Sequence, residues 1–270
     1  MIIDAWMQHP NADWIQNPIF DSLRRWQPGP WSETNPPLTA TLAEMDKAGV
    51  ARGMLCAWWA PSGPMISNDE VAQHCRAHPD RFTGIASVNL YRPMEGVREL
   101  RRRVKQDGFK GLRLLPWLWG LPPDDRRYYP LFAECCELDI PFCTQVGHAG
   151  PLKESEPGRP IPYLDRIALE FPELRILGGH IGVPWLDEML SLVIKYPSVF
   201  IDTSAYKVSR YPKQLVNYMR RSKKHKVLFG SNHPFWPASD CLAGLDRLGL
   251  SEKATAFFLA GNSKSFFKIG

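Results

Sequence analysis

Eight short apolar runs constrain the fold of this chain more than any other feature. They lie at residues 2–6, 52–58, 82–90, 111–115, 141–146, 174–179, 199–203 and 226–231. The runs are near-continuous rather than alternating, as strands buried on both faces should be. Helical patterns fill the gaps. Residues 41–48 bring Leu42, Met45 and Ala48 to one face, and Gly49 stops the pattern. Residues 95–107 do the same with Val97, Leu100 and Val104, between Pro93 and Gly108. Further helices are expected at 131–138, 164–171, 186–195, 214–220, 242–248 and 252–259. After the first helix the runs fall roughly 25 to 33 residues apart, the span of a repeated βα unit. Eight parallel strands with helices between them close into a (β/α)8 TIM barrel. The 270 residues suit one such barrel. No low-complexity linker interrupts them, so residues 1–270 are expected to form a single domain.

Composition excludes several other classes. No segment reaches the length of a transmembrane span, and the early Asp4 with no basic region before it argues against a signal peptide. The net charge of +5 is thinly spread. Its densest run, 220–226, lacks interleaved aromatic residues and reads as a solvated helix end rather than a nucleic-acid patch. Six cysteines, Cys56, Cys75, Cys135, Cys136, Cys143 and Cys241, form no C-x-x-C pair. Buried, reduced thiols in a cytoplasmic protein are expected.

Chemistry in such a barrel belongs to side chains at the C-terminal strand ends. Strand one offers Trp6, Gln8 and His9, strand two Trp58 and Trp59, strand three Asn89 and strand four Arg113. Strand five offers Gln145 and His148, strand six His180, strand seven Asp202 and Ser204, and strand eight Asn232 and His233. The adjacent Trp58 and Trp59 should point opposite ways, so at most one faces the mouth. Two long connections, 8–38 and 147–162, follow strand ends and should hang over that mouth. Ten tryptophans and twenty-five prolines, several in these connections, suggest a site walled by aromatic side chains.

Particular stretches carry a resemblance. They are Ile3-Asp4, Met45-Asp46-Lys47-Ala48-Gly49-Val50, Pro79-Asp80-Arg81-Phe82, and Gly108-Phe109-Lys110-Gly111-Leu112-Arg113-Leu114. Gly179-His180-Ile181-Gly182, Phe200-Ile201-Asp202-Thr203-Ser204, Phe229-Gly230-Ser231-Asn232-His233-Pro234 and Gly261-Asn262 follow in order. Together they resemble the amidohydrolase-related family, which includes the aminocarboxymuconate semialdehyde and resorcylate decarboxylases. The resemblance implies the same barrel, a homodimer and usually one divalent metal. In that family an H-x-H on strand one, a His ending strand five and an Asp ending strand eight hold the metal, and a His on strand six works as acid or base. Here those positions carry Trp6, Gln8, Gln145 and Asn232, and only His180 matches.

Indole cannot ligate a metal, and neutral carboxamides are weak donors. A metal-free site is therefore the favoured expectation. The rival is a relocated site for zinc, iron or manganese, built from some of His9, His148, His180 and His233. His180, His148, Asn232 and His233 are the catalytic candidates; Gln8, Trp6, Arg113, Gln145 and Trp58 are the substrate-binding ones. His180 would act as base or acid, and Arg113 would clamp an anion in bidentate fashion. The leading reading is a hydrolase of a small lactone or amide, for which the similar, metal-free pyrone dicarboxylate lactonases are a precedent. A metal-dependent decarboxylase or hydratase is the alternative. The remaining one is a silent barrel paired with an active homologue.

Overall fold

The computed structural model describes residues 1–25, 29, 31–222 and 225–270. Part of the long connection 8–38 and two lysines of the basic run, Lys223 and Lys224, lie outside the described residues.

The strands in chain order are β1 (Ile2–Met7), β2 (Val50–Cys56), β3 (Trp58–Ala60), β4 (Gly63–Ile66), β5 (Phe82–Ile85), β6 (Leu112–Leu114), β7 (Phe142–Gln145), β8 (Ile176–Gly179), β9 (Val199–Asp202) and β10 (Val227–Leu228). β1, β2 and β5 pair in parallel, as do β6 through β10 in sequence. Backbone bonds close the two arcs into one barrel. Ala86 bridges to Leu112, and the Ala5 and Asn232 amides donate to the Phe229 and Trp6 carbonyls at 2.9 and 2.8 Å. The expected eight-stranded barrel is the fold.

β3 and β4 add an antiparallel hairpin outside it. Run 52–58 therefore spans a barrel strand and the start of a hairpin. Runs 82–90 and 226–231 are longer than the strands they contain, because their C-terminal halves leave the ladder to build the mouth. There Asn68 pairs with the backbone of Ser87, and Asp4 accepts from the amides of Ser231 and Trp6 at 3.0 and 3.1 Å. Asp4 pins the β10–β1 seam, and burial raises its carboxyl to about 7.

Most helices wrap the barrel where the patterns place them, but Asn68–Ala77, capped by Ser67, is not among those expected, and 242–248 holds a 3-10 turn at Leu245–Leu248 in place of an α-helix. Pro93–Asp107 buries Val97 and Leu100 and ends on Gly108 in the left-handed region, as a C-terminal glycine should. The long first connection is not plain loop: it carries short helices at Ala12–Gln16 and Asp21–Arg24. All six cysteines are free, and Cys56, Cys135, Cys143 and Cys241 are buried. No helix among the described residues is long and apolar enough to cross a membrane.

Candidate active site

A cavity of about 210 Å³ opens at the C-terminal end of the barrel. Its walls are Trp6, Phe20, Trp58, Trp117, Phe235 and Trp236, and its polar groups include His180, His148, Gln145 and Asn232. A dry cavity of about 150 Å³ accommodates benzene, so this one holds a substituted six-membered ring. No Asp, Glu, Lys or Arg side chain is among the described residues lining it.

The floor is Trp6, fully buried at the end of β1. Its ring fits because Gly179, facing it from β8, has no side chain; a Cβ there would sit 2.7 Å from the indole. The ring also meets His180 edge-on at 5.3 Å. From the other side, Trp58 packs against Trp14, Phe20 and Trp117. Trp59, one residue on, points the other way, into an outer groove with Asn68 and Glu99.

His180 follows β8 with a positive φ of 70°, and Ile181 after it has 63°. Such a backbone is costly for residues with a Cβ and persists only when its surroundings hold it. Here Asp202 Oδ1 accepts from the His180 amide at 3.2 Å and the Ser204 amide at 2.8 Å. The Ser204 hydroxyl donates to the same carboxylate oxygen. It also lies 2.6 Å from His180 Nδ1. A hydroxyl has one proton; since Ser204 gives it to Asp202, Nδ1 must carry a proton and donate it to Ser204. His180 Nε2 is then left with a lone pair and no partner among the described residues. Burial, with the Arg113 guanidinium and His148 adding to it, lowers this imidazole to about 3. It is therefore a neutral base throughout the physiological range. Burial lifts Asp202 to about 6, and its Oδ2 has no hydrogen-bond partner among the described residues.

His148 stands exposed at the rim, its Nδ1 3.3 Å from the Val183 carbonyl. Nδ1 donates there, which leaves its Nε2 able to exchange protons. The turn that carries it needs glycine at 147: φ is 89°, and a Cβ would sit 2.5 Å from the Val183 oxygen.

Other expected site residues are used elsewhere. Arg113 does not reach the cavity and cannot clamp a substrate there. It is 1% exposed, and its guanidinium carbon lies 5.0 Å from both the Trp6 and Trp58 rings. Gln8 is likewise beneath the floor. Its Oε1 accepts from Arg113 and Trp58 at 3.0 and 3.2 Å, and its Nε2 donates to Asn232 Oδ1 and the His233 carbonyl. Gln145 touches the cavity, but its Oε1 accepts from Trp117 at 2.7 Å and its Nε2 donates to the His148 carbonyl at 3.1 Å. Asn232 lines the cavity; its oxygen accepts from Gln8, and its Nδ2 has no hydrogen-bond partner among the described residues. Asn89 caps a turn at Tyr91 outside the site.

His233 turns away from the cavity. Its Nε2 lies 3.1 Å from Thr41 Oγ1, which also meets His9 Nδ1 at 2.9 Å. The relocated metal centre of His148, His180 and His233 is thus not assembled, and no group of three or more His, Cys, Asp or Glu gathers for a metal among the described residues. At the strand ends themselves the donor set does not fit a divalent ion. Trp6 has no lone pair to give, the Gln8, Gln145 and Asn232 oxygens are already hydrogen-bonded, and a buried cation lies beside Gln8.

The strand-end list did not contain Phe20, Trp117, Phe235 and Trp236. The abundance of aromatic residues in the connections was the one available signal.

The amidohydrolase family model matches residues 3–269. A gamma-resorcylate decarboxylase of Rhodococcus jostii (strain RHA1) is 25% identical over 252 residues, covering 75% of each chain. Among solved structures, an uncharacterised TIM-barrel protein of Bordetella bronchiseptica superposes with a TM-score of 0.85 at 23% identity, over 99% of this chain and 98% of that one. A dihydroxybenzoic acid decarboxylase of Polaromonas sp. JS666, with bound manganese and the inhibitor 2-nitroresorcinol, gives 0.71 at 19% identity, over 99% and 96%.

Proposed function

Because the chain belongs to the amidohydrolase family, an enzyme family whose relatives here are decarboxylases, we propose that it is a carbon–carbon lyase. Its substrate is a small planar hydroxy-aromatic acid, and it releases carbon dioxide by proton transfer through His180. The lactone or amide hydrolase of the first reading gives way to this lyase because of those relatives. The observation that carries it is the unpartnered His180 Nε2 in a cavity sized and walled for an aromatic ring.

The chemistry balances on this chain's own groups. His180 Nε2 takes the proton of a ring hydroxyl, and the resulting phenolate pushes electron density onto the carbon that bears the carboxylate. The imidazolium returns that proton to the same carbon. The bond to the carboxyl group then breaks, its electron pair returns to the ring, and neutral carbon dioxide leaves. The product phenolate takes a proton from solvent, with the rim imidazole of His148 as the carrier. Aromatic walls favour this outcome, because a carboxylate without water or a paired cation loses charge as it becomes carbon dioxide. The relatives' manganese enters no step, since the donor set here does not fit it.

Hydrolysis of a neutral lactone or amide is the second reading. Asn232 Nδ2 favours it, as a donor to an oxyanion beside a base. A panel of hydroxybenzoic acids and aryl lactones, followed by proton NMR in deuterated water, separates the two. Decarboxylation places solvent deuterium on the ring carbon that lost its carboxyl group, and His180→Gln abolishes it. Turnover of lactones alone, or no turnover of either class, would remove the lyase.

A further inference from the structure

Beneath the cavity floor lies a cation that the proposed reaction does not use. Arg113 is the middle residue of β6 and is buried on all sides. It forms no salt bridge among the described residues. Nη1 donates to Gln8 Oε1 and Nη2 to the Ala57 carbonyl, each at 3.0 Å. Two indole faces, Trp6 and Trp58, enclose the guanidinium at 5.0 Å each. This is a built site for a positive charge: π faces and carbonyl oxygens enclose it, and the buried Asp202 carboxylate attracts it from beyond hydrogen-bond distance.

Its location gives it a meaning. Gln8 and Trp6 hold the β1 positions at which the family resemblance places imidazole ligands. A guanidinium bonded to one and stacked on the other fills that space with a charge of its own. Any divalent ion brought there meets a like charge in a desolvated setting, where repulsion is screened far less than at the surface.

We propose that Arg113 is the resident cation of this barrel: it takes the place of a divalent ion at the end of β1, and keeps such an ion out. The inference does not rest on the reaction above, because its test reads metal binding and no turnover.

The probe is manganese alone, titrated by calorimetry into three proteins whose folding is checked by circular dichroism. They are the wild type, the variant W6H/Q8H/Q145H/N232D, and that variant with Arg113→Met added. The wild type is expected to bind no stoichiometric manganese. The donor-restored variant should bind weakly, and removal of the guanidinium should tighten binding by about 100-fold or more. Equal affinity of the two variants would overturn the proposal. So would one manganese per chain in the wild type, a result that needs no variant to fold.

Discussion

His180 Nδ1 lies 2.6 Å from Ser204 Oγ, and the serine passes its own proton to Asp202. The serine is thus a spacer between imidazole and carboxylate. It fixes which ring nitrogen carries hydrogen while keeping the acid away from the cavity. The same Asp202 oxygen holds the backbone amides of both other members, so the left-handed turn at His180 and its tautomer have one cause.

Loss of the base should cost most of the activity. His180→Gln is expected to lower kcat by about 10²–10⁴, the usual worth of a positioned acid or base. Ser204→Ala keeps the imidazole but frees its tautomer, so it should cost a smaller part of that range. Steady-state kinetics with the best substrate of the panel checks both, with KM little changed in the serine variant.

The pH dependence should follow Asp202 rather than His180. The imidazole, at about 3, stays neutral across the assay range, whereas the carboxyl, at about 6, protonates within it. A protonated Asp202 no longer needs the Ser204 proton, and the serine is then free to donate to Nδ1, which moves the imidazole proton to Nε2. Activity is therefore expected to fall as pH drops through about 6. Asp202→Asn should remove that inflection from the kcat/KM profile.

Gly179→Ala tests the floor. The added methyl would lie 2.7 Å from the Trp6 ring. Overpacking of this kind typically costs about 1–3 kcal/mol. Thermal unfolding should show a lowered Tm, and the double variant Gly179→Ala with Trp6→Leu should recover part of it.

The barrel and the strand ends were legible in the sequence because both follow from periodicity. Near-continuous apolar runs mark strands buried on both faces, and the C-terminal end of each is where a barrel places its chemistry. His180 and Asn232 were found that way. Arg113, Gln8 and His233 were found as well, but with roles the structure does not give them. Whether a side chain rises into the mouth or lies under the floor depends on what packs above it. For Arg113 that is Trp6, a neighbour from another strand. For His233 it is Thr41, distant in sequence. Beyond Trp6 and Trp58, the aromatic walls were anticipated only as a composition, since Phe20 and Phe235 come from connections with no regular spacing.

Thr41 joins two histidines that the cavity does not use. Its hydroxyl meets both His9 and His233, and burial lowers each imidazole to about 4. Thr41→Val should destabilise the fold by about 1–3 kcal/mol, because buried nitrogens lose their partner. The folded state takes up protons at these two sites less readily than the unfolded chain does. Their contribution is thus complete above the ordinary histidine value near 6.5 and is lost as pH falls toward about 4. Denaturant melts across that window should show stability declining with acid, less steeply in a His9→Gln variant.

Nitrogen-15 NMR of histidine-labelled protein measures the central claim without any substrate. His180 is expected to show hydrogen on Nδ1 and a bare Nε2 from pH 7 to 8, with the hydrogen moving to Nε2 as Asp202 protonates below about 6. An imidazolium forming near 6.5, or a hydrogen on Nε2 above pH 7, would contradict the assignment of His180 as the neutral base of this site.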